Sequence, residues 1–409
     1  MPFTTLITFM MNLVRKSLQV EIGSFTRFLD IRSFSKQAFS QARKKLSPTA
    51  FKLLNEKLVT EFYTDNDFKT FKGLRILAID GSILRLPDAD ELYGKFGLYG
   101  QNRLKSPPLA KISTLYDVLN NITIHATMAP YLMPERDMAR ENINALNGFP
   151  GATHSDNAQD IIDLILFDRG YPSGHFMFFL LKENKQFLMR IQNNSFSAVR
   201  EIIKNEINDS IISIPVLNVN QRHDANAKSL FGANKNDILQ IRVLIFHLSN
   251  NEKEVIVTSL IDQNKFTYDD IFKLYHMRWN IEEDYKLYKC IADLENFSGR
   301  STLAIEQDFY ATVFTCNIAS LLAQEAQEEL EVESLHKARK YDYKINRNVL
   351  IGTIKDEIIE VLLGDQNLDE YCTKLKKHIK RSLTPIRPGR SYPRVNPGNI
   401  EVKINKSCL

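Results

Sequence analysis

Tyr275, Arg278, Glu282 and Lys289 set one aromatic, two cations and one carboxylate at intervals of three, four and seven residues. No Gly or Pro interrupts residues 266–290, and apolar residues recur there at helical spacing, so a single helix is predicted across the stretch. At about 100° per residue the four side chains fall within about 60° of one another. Leu274, Ile281, Tyr285 and Tyr288 form an apolar stripe directly beside them. Such a helix presents a charged row at the edge of a buried face. An Arg and a Glu four residues apart more often make an exposed ion pair than a site, so the row needs partners elsewhere in the chain.

Two other carboxylates are the candidates. The apolar run from Leu74 ends in Asp80, Gly81 and Ser82, and the run from Leu164 ends in Asp168, Arg169 and Gly170. Each Asp taken alone reads equally well as a turn former or helix cap. Together with Glu282 they make three carboxylates on separate rigid elements, a set able to bind two divalent cations about 3.5–4 Å apart. Oxygen-only donors favour Mg²⁺, with Mn²⁺ as a substitute, over zinc. That pair suits phosphodiester chemistry: one ion lowers the pKa of an attacking water or hydroxyl and the other stabilises the leaving oxygen. Arg278 and Lys289 would then face phosphates, one as a rigid bidentate donor and one as a flexible point charge. Glu283 lies about 100° further round the helix and is the poorer ligand.

Other chemistries lack support. There is no Walker-type or dinucleotide-binding Gly loop, no H-E-x-x-H and no G-x-S-x-G. The eight histidines are dispersed, and His276 sits off the charged row.

The chain of 409 residues is 44% hydrophobic and 25% charged with a net charge of +4, which permits nucleic-acid binding without demanding it. Cys290, Cys316, Cys372 and Cys408 make neither a C-x-x-C nor a disulfide ladder, which fits a reducing cytoplasm. The apolar start lacks a basic region and a cleavage site, so no signal peptide is expected. No run approaches the ~18 apolar residues of a membrane span. A soluble, cytoplasmic protein is expected.

The elements follow from periodicity. Residues 1–70 read as helices, including a short basic one over 35–46 with Lys36, Arg43, Lys44 and Lys45 outside its apolar positions. Ser47 and Pro48 open the next. Strands are predicted at 74–82, 112–118, 122–128, 164–168 and 186–190. Residues 83–111 read as a loop-rich connection, 135–147 as a polar helix and 176–181 as another helix. Residues 195–262 read as β-rich, with strands at 211–216, 238–246 and 254–260. Helices over 303–325 and 349–363 precede a basic tail from Lys374, Pro-rich from Thr384 to Pro397. The fold class is α/β with a mixed sheet, and sites in open sheets of this kind form outside strand ends.

These residues resemble the DDE transposases of bacterial insertion sequences, specifically the IS-four-type family with its Y-x2-R-x3-E-x6-K signature. Tyr275, Arg278, Glu282 and Lys289 match that signature without a spacing error. Ile79 to Ser82 match the family's first-Asp block, and Asp168 to Tyr171 its second. Phe39 to Arg43 and the Arg387–Arg394 tail are similar to its terminal regions. The resemblance implies a ribonuclease-H-like sheet with a β-rich insertion at about 195–262 inside a catalytic domain over 71–325. A helical DNA-binding region over 1–70 and C-terminal helices with a basic tail over 326–409 would flank it. It also implies cut-and-paste DNA transposition: Asp80, Asp168 and Glu282 hold Mg²⁺, water nicks the element's end, and the freed 3′-OH attacks target DNA. Tyr275, Arg278 and Lys289 would grip phosphates. The implied partners are the double-stranded DNA of terminal inverted repeats and target, bound by a homodimer in the nucleoid. In some relatives a Trp in the β insertion takes up a flipped base. The one Trp here is Trp279, in the signature helix, and that role does not carry over. A nuclease without strand transfer and a non-catalytic DNA-binding protein are the competing readings.

Overall fold

β1 (Leu74–Arg85) is the strand against which the others are ordered. In the computed structural model, which describes residues 1–12, 16–64, 68–100, 102–103, 106–149, 161–193, 195–223, 232–248, 252–334, 341, 343–347, 349–354, 363 and 368–385, it pairs antiparallel with β2 (Leu109–Asp117) and parallel with β4 (Ile162–Phe167). β2 turns into β3 (Ile122–Pro130) through the predicted hairpin. Asp117 closes that turn by accepting from the backbone N–H groups of Leu119 and Asn120, and Asn121 takes a φ of 55°. β5 (Gln186–Ile191) lies parallel to β4. The order β3-β2-β1-β4-β5, an antiparallel meander followed by parallel strands, is the ribonuclease-H-like sheet that the resemblance implies.

The predicted β-rich segment does not stand apart from this sheet. Its strands β6 (Asp209–Pro215), β7 (Ile238–His247) and β8 (Lys253–Thr258) continue it beyond β5 in the order β8-β7-β6, giving one eight-stranded sheet. Side chains alternate between its two faces. Leu74, Ile76, Ala78, Leu164 and Leu166 enter one core, while Leu77, Ile79, Ile165 and Phe167 enter the other.

Helices cover both faces. α1 (Phe3–Met11), α2 (Leu18–Phe28), α3 (Lys36–Arg43) and α4 (Thr49–Thr64) belong to the N-terminal region. α5 (Asp90–Phe96) lies in the stretch expected to be loop; Leu92, Tyr93 and Phe96 bury one side of it, and Gly94 and two flanking prolines hid that periodicity. α6 (Glu135–Asn147) and α7 (Gly174–Lys182) sit where predicted, while α8 (Ser197–Lys204) and the four-residue α9 (Val219–Arg222) add helix to the segment expected to be β-rich. Past β8 come α10 (Tyr268–Met277), α11 (Trp279–Lys286), a π-turn over Leu287–Ile291 and the long α12 (Thr302–Ser334). β9 (Tyr343–Ile345) and β10 (Leu383–Pro385) pair beside α13 (Leu368–Ile379). Residues 349–354 are helical, but the remainder of the predicted 349–363 helix, apart from residue 363, and the tail from residue 386 lie outside the described residues. No described helix is long and apolar enough to cross a membrane.

Arg43 corrects one expectation. It is 4% exposed, so it is no part of a solvated basic face. Its guanidinium donates to Gln307 Oε1 at 2.8 Å, Ser298 Oγ at 2.7 Å, the Ala304 carbonyl at 3.2 Å and Asp308 Oδ1 at 2.8 Å. The helix predicted to carry four cations outside its apolar positions is stapled to α12 through one of them. Lys44 and Lys45 remain exposed.

A second buried charge ties β1 to β4. Arg75 Nε donates to Asp163 Oδ1 at 2.7 Å, Lys185 Nζ donates to Oδ2 at 2.9 Å, and the Arg75 guanidinium lies 4.8 Å from the Tyr63 ring centroid. Burial alone would raise the Asp163 pKa; Arg75 and Lys185 pull it below the usual carboxylate range. With the folded pKa depressed, the pair's stabilisation is present above about pH 3.8 and is lost as pH falls through the folded value. Asp163→Asn leaves Arg75 buried and short of its anion, and should destabilise the fold by about 3–5 kcal/mol in urea unfolding at pH 7. A loss within the ~0.5 kcal/mol expected of a surface substitution would show that the pair is not holding β1 to β4.

Candidate active site

Register brings the two aspartates together. Ala78 is the last β1 residue paired with β4, opposite Leu166. The next positions of the same facing are Asp80 and Asp168, so both side chains leave the sheet on the face that α10 and α11 cover. Neighbouring strands are about 4.8 Å apart. Each carboxylate is turned by the backbone just after it: Gly81 N–H donates to Asp80 Oδ1 at 2.8 Å, and Arg169 N–H to Asp168 Oδ1 at 2.6 Å.

The signature stretch is not one continuous helix. α10 stops at Met277, Arg278 forms a tight turn, and α11 begins at Trp279. At the break the backbone bonds are three residues long, Arg278 N–H to the Tyr275 carbonyl and Ile281 N–H to the Arg278 carbonyl, both 3.1 Å. The break directs the buried guanidinium toward the sheet. Arg278 Nη1 lies 3.4 Å from Asp80 Oδ2, and Nη2 donates to Glu282 Oε1 at 3.0 Å. The Arg278–Glu282 pair is therefore not the exposed helix-surface bridge, because a third charge from another element shares it.

The other signature residues take separate places. Tyr275 is 2% exposed and stands behind Arg278, whose Cζ is 6.0 Å from its ring centroid. Burial pushes its phenol pKa up while Arg278 opposes the shift. Lys289 falls in the π-turn, whose wider pitch takes it off the α-helical phase, and its Nζ donates to the Ile83 carbonyl at 2.5 Å. Burial lowers its pKa. Trp279 is half exposed at the start of α11.

Residues outside the signature hold this helix to the sheet. Tyr285 donates its hydroxyl to the Asp80 carbonyl at 2.7 Å and accepts from Thr114 N–H at 3.2 Å and Thr114 Oγ1 at 3.1 Å. Asp284, buried with its pKa raised to about 6 by desolvation, accepts from Thr123 Oγ1 at 3.1 Å. One acidic residue escaped the sequence reading. Glu135, first in α6, brings its carboxylate to the Asp80 and Asp168 turns: a Cβ on Gly81 or on Gly170 would lie 3.5 Å from it. An acid in the first turn of a helix is ordinary dipole chemistry, so nothing in the sequence distinguished it.

Desolvation pushes the Asp80 pKa up to about 6; the Gly81 N–H and Arg278 oppose that, while Asp168 and Glu282 add to it. Three negative groups therefore act on one place, and one guanidinium answers them. Among the described residues no three acidic, His or Cys side chains already converge to hold a metal ion. The donors nevertheless fit a hard divalent cation: they are oxygens only, Asp168 and Glu282 add to the cost of ionising Asp80, and the Arg278 guanidinium already bridges two of them.

More than half of the chain, residues 71–318, matches the family model for the transposase DDE domain. The chain belongs to the transposase DDE domain family. No curated protein matches it. Among solved structures it is similar to the piggyBac transposase synaptic complex with hairpin DNA, at 11% identity and a TM-score of 0.42, over 78% of this chain and 59% of that one.

Tyr285→Phe removes the hydroxyl that joins the Asp80 carbonyl to Thr114 and should cost about 0.5–1.5 kcal/mol of stability in chemical denaturation, the net worth of a buried hydrogen bond. A change below about 0.5 kcal/mol, within the range of surface substitutions, would mean that α11 is held at Asp80 by its apolar contacts alone.

Proposed function

We propose that this chain is a cut-and-paste DNA transposase whose site is Asp80, Asp168 and Glu282, with Arg278, Lys289 and Tyr275 serving the DNA. The observation that carries this is Arg278, which touches the first-strand aspartate and the signature glutamate at once. That shared guanidinium supports reading Glu282 together with Asp80. When bound, Mg²⁺, or Mn²⁺ in its place, lowers the pKa of an attacking water and neutralises charge at the leaving 3′ oxygen.

The chain's own residues do the rest. Asp80, Asp168 and Glu282 hold the cations. Arg278 turns from Asp80 and Glu282 to the phosphate beside the cut, a move from one set of oxygens to another that keeps its charge paired. Tyr275 limits where the guanidinium can go. Lys289 trades the Ile83 carbonyl for a second phosphate. Water attacks phosphorus at the element's end and the P–O3′ bond breaks; the freed 3′-OH then attacks a target phosphodiester in the same way. The exposed Lys44 and Lys45 of the N-terminal region and a second copy of the chain serve to hold the two ends.

The test uses pre-cleaved DNA carrying the inverted repeats that flank the reading frame, a target plasmid and Mg²⁺. Joined product is expected. Nicking without joining would leave a nuclease, and binding without either would leave a non-catalytic DNA-binding protein. Glu282→Gln should lower cleavage about a thousandfold or more while end binding survives, since it removes a cation ligand worth several kcal/mol and no basic surface. Near-normal cutting would refute the assignment. Lys289→Ala should weaken binding and make its salt dependence shallower by about one phosphate contact, and an unchanged slope would place Lys289 away from DNA.

A further inference from the structure

Glu135 approaches the site from the side of the sheet opposite to Glu282. α6 packs Ala139, Ile143 and Leu146 into the core beneath Leu77 and Ile79, while α10 and α11 cover the other face. At the sheet rim the two faces meet. Gly81 and Gly170 follow the two aspartates closely, and the Glu135 carboxylate lies 3.5 Å from the ideal Cβ position of either, within van der Waals reach of both turns. Arg136, next in α6, donates to the carbonyls of Gly170 at 3.1 Å and Pro172 at 3.3 Å, so the start of the helix is fastened to the turn after Asp168. The closest cation to Glu135 is Lys111, whose Nζ stands 3.9 Å from Oε1 and donates instead to the Met133 carbonyl at 2.9 Å.

A second observation is independent of the acids. Tyr171 is 1% exposed, yet its hydroxyl has no hydrogen-bond partner among the described residues. Its ring is fixed between Phe167 and Phe176, with centroids at 5.1 and 6.3 Å. The hydroxyl feels the charges of Asp80, Glu135 and Asp168 together. An orphan donor this deeply buried costs about 1–3 kcal/mol, a cost expected where a group waits for a ligand or its water.

We propose that Glu135 is a fourth carboxylate of the divalent-cation site, reaching a cation shared with Asp80 past Gly81 and Gly170, with the Tyr171 hydroxyl donating to the ligated oxygens or their water. This rests on the cation site proposed above. A fourth acid supplies a ligand from a helix that Arg278 does not occupy, so one cation has a place before the guanidinium moves.

The experiment measures Mn²⁺ binding to the full chain without DNA, by the electron paramagnetic resonance signal of free Mn²⁺, for wild type, Glu135→Gln, Asp80→Asn and, as a control on the same helix, the exposed Glu141→Gln. Glu135→Gln should weaken one Mn²⁺ about tenfold or more, Asp80→Asn should do at least as much, and Glu141→Gln should bind as wild type. Thermal midpoints in EDTA should be the same for wild type and Glu135→Gln, since the amide keeps the shape. In a parallel reaction, Fe²⁺ with ascorbate and peroxide should cut the wild-type backbone near residue 135 as well as near 80 and 168. Wild-type binding by Glu135→Gln alongside loss in Asp80→Asn, with no cut near 135, would overturn the proposal and leave the three-acid site standing. Unchanged binding in both variants would overturn the two together.

Discussion

Asp80 accepts from the Gly81 backbone and from Arg278 in the middle of a buried strand, and the rest of the structure bears on holding it there against its neighbours. A carboxylate at that depth is costly, and Asp168 and Glu282 make it costlier. The chain meets this cost in three ways. Parallel pairing of β1 with β4 fixes Asp168 alongside. The break at Arg278 aims a guanidinium between Asp80 and Glu282. Tyr285 pins the same helix to the Asp80 carbonyl. Like charges kept together by this much scaffolding make a standing attraction for cations.

The scaffold explains why the site sits at a rim. Central strands whose side chains enter a core on both faces can offer acids only where an apolar run ends. β1 and β4 end their buried stretches at neighbouring positions. α11 approaches that rim from one face and the start of α6 from the other. The insertion lengthens the sheet on the far side of β5 and leaves this rim untouched. Arg43, buried against α12, fastens the N-terminal helices to the same body that carries the signature helix.

Much of this was legible in the sequence, for identifiable reasons. Asp80 and Asp168 stood out because each ends an apolar run in a carboxylate, although β1 itself runs on past Asp80 to Arg85. The hairpin and α6 followed from ordinary turn and helix signals. The break at Arg278 was not legible: no Gly or Pro marks it, and the Asp80 that its guanidinium reaches lies about two hundred residues away. Arg43 was placed outside the apolar positions of its helix because its partners, Ser298 and residues 304, 307 and 308, lie far along the chain. Glu135 was hidden by resembling a helix-dipole acid, and only the two glycines packed against it set it apart. Local pattern reveals elements and their ends; which ends meet is decided by register.

In the function proposed, Asp80, Asp168 and Glu282 form a cation site that Arg278 vacates. Anomalous diffraction at the manganese edge from crystals of the full chain grown with Mn²⁺ tests it most directly. Peaks among these three carboxylates, with the Arg278 guanidinium withdrawn from its 3.4 and 3.0 Å contacts, are the predicted result. Manganese bound elsewhere, with Arg278 still bridging Asp80 and Glu282, would contradict it.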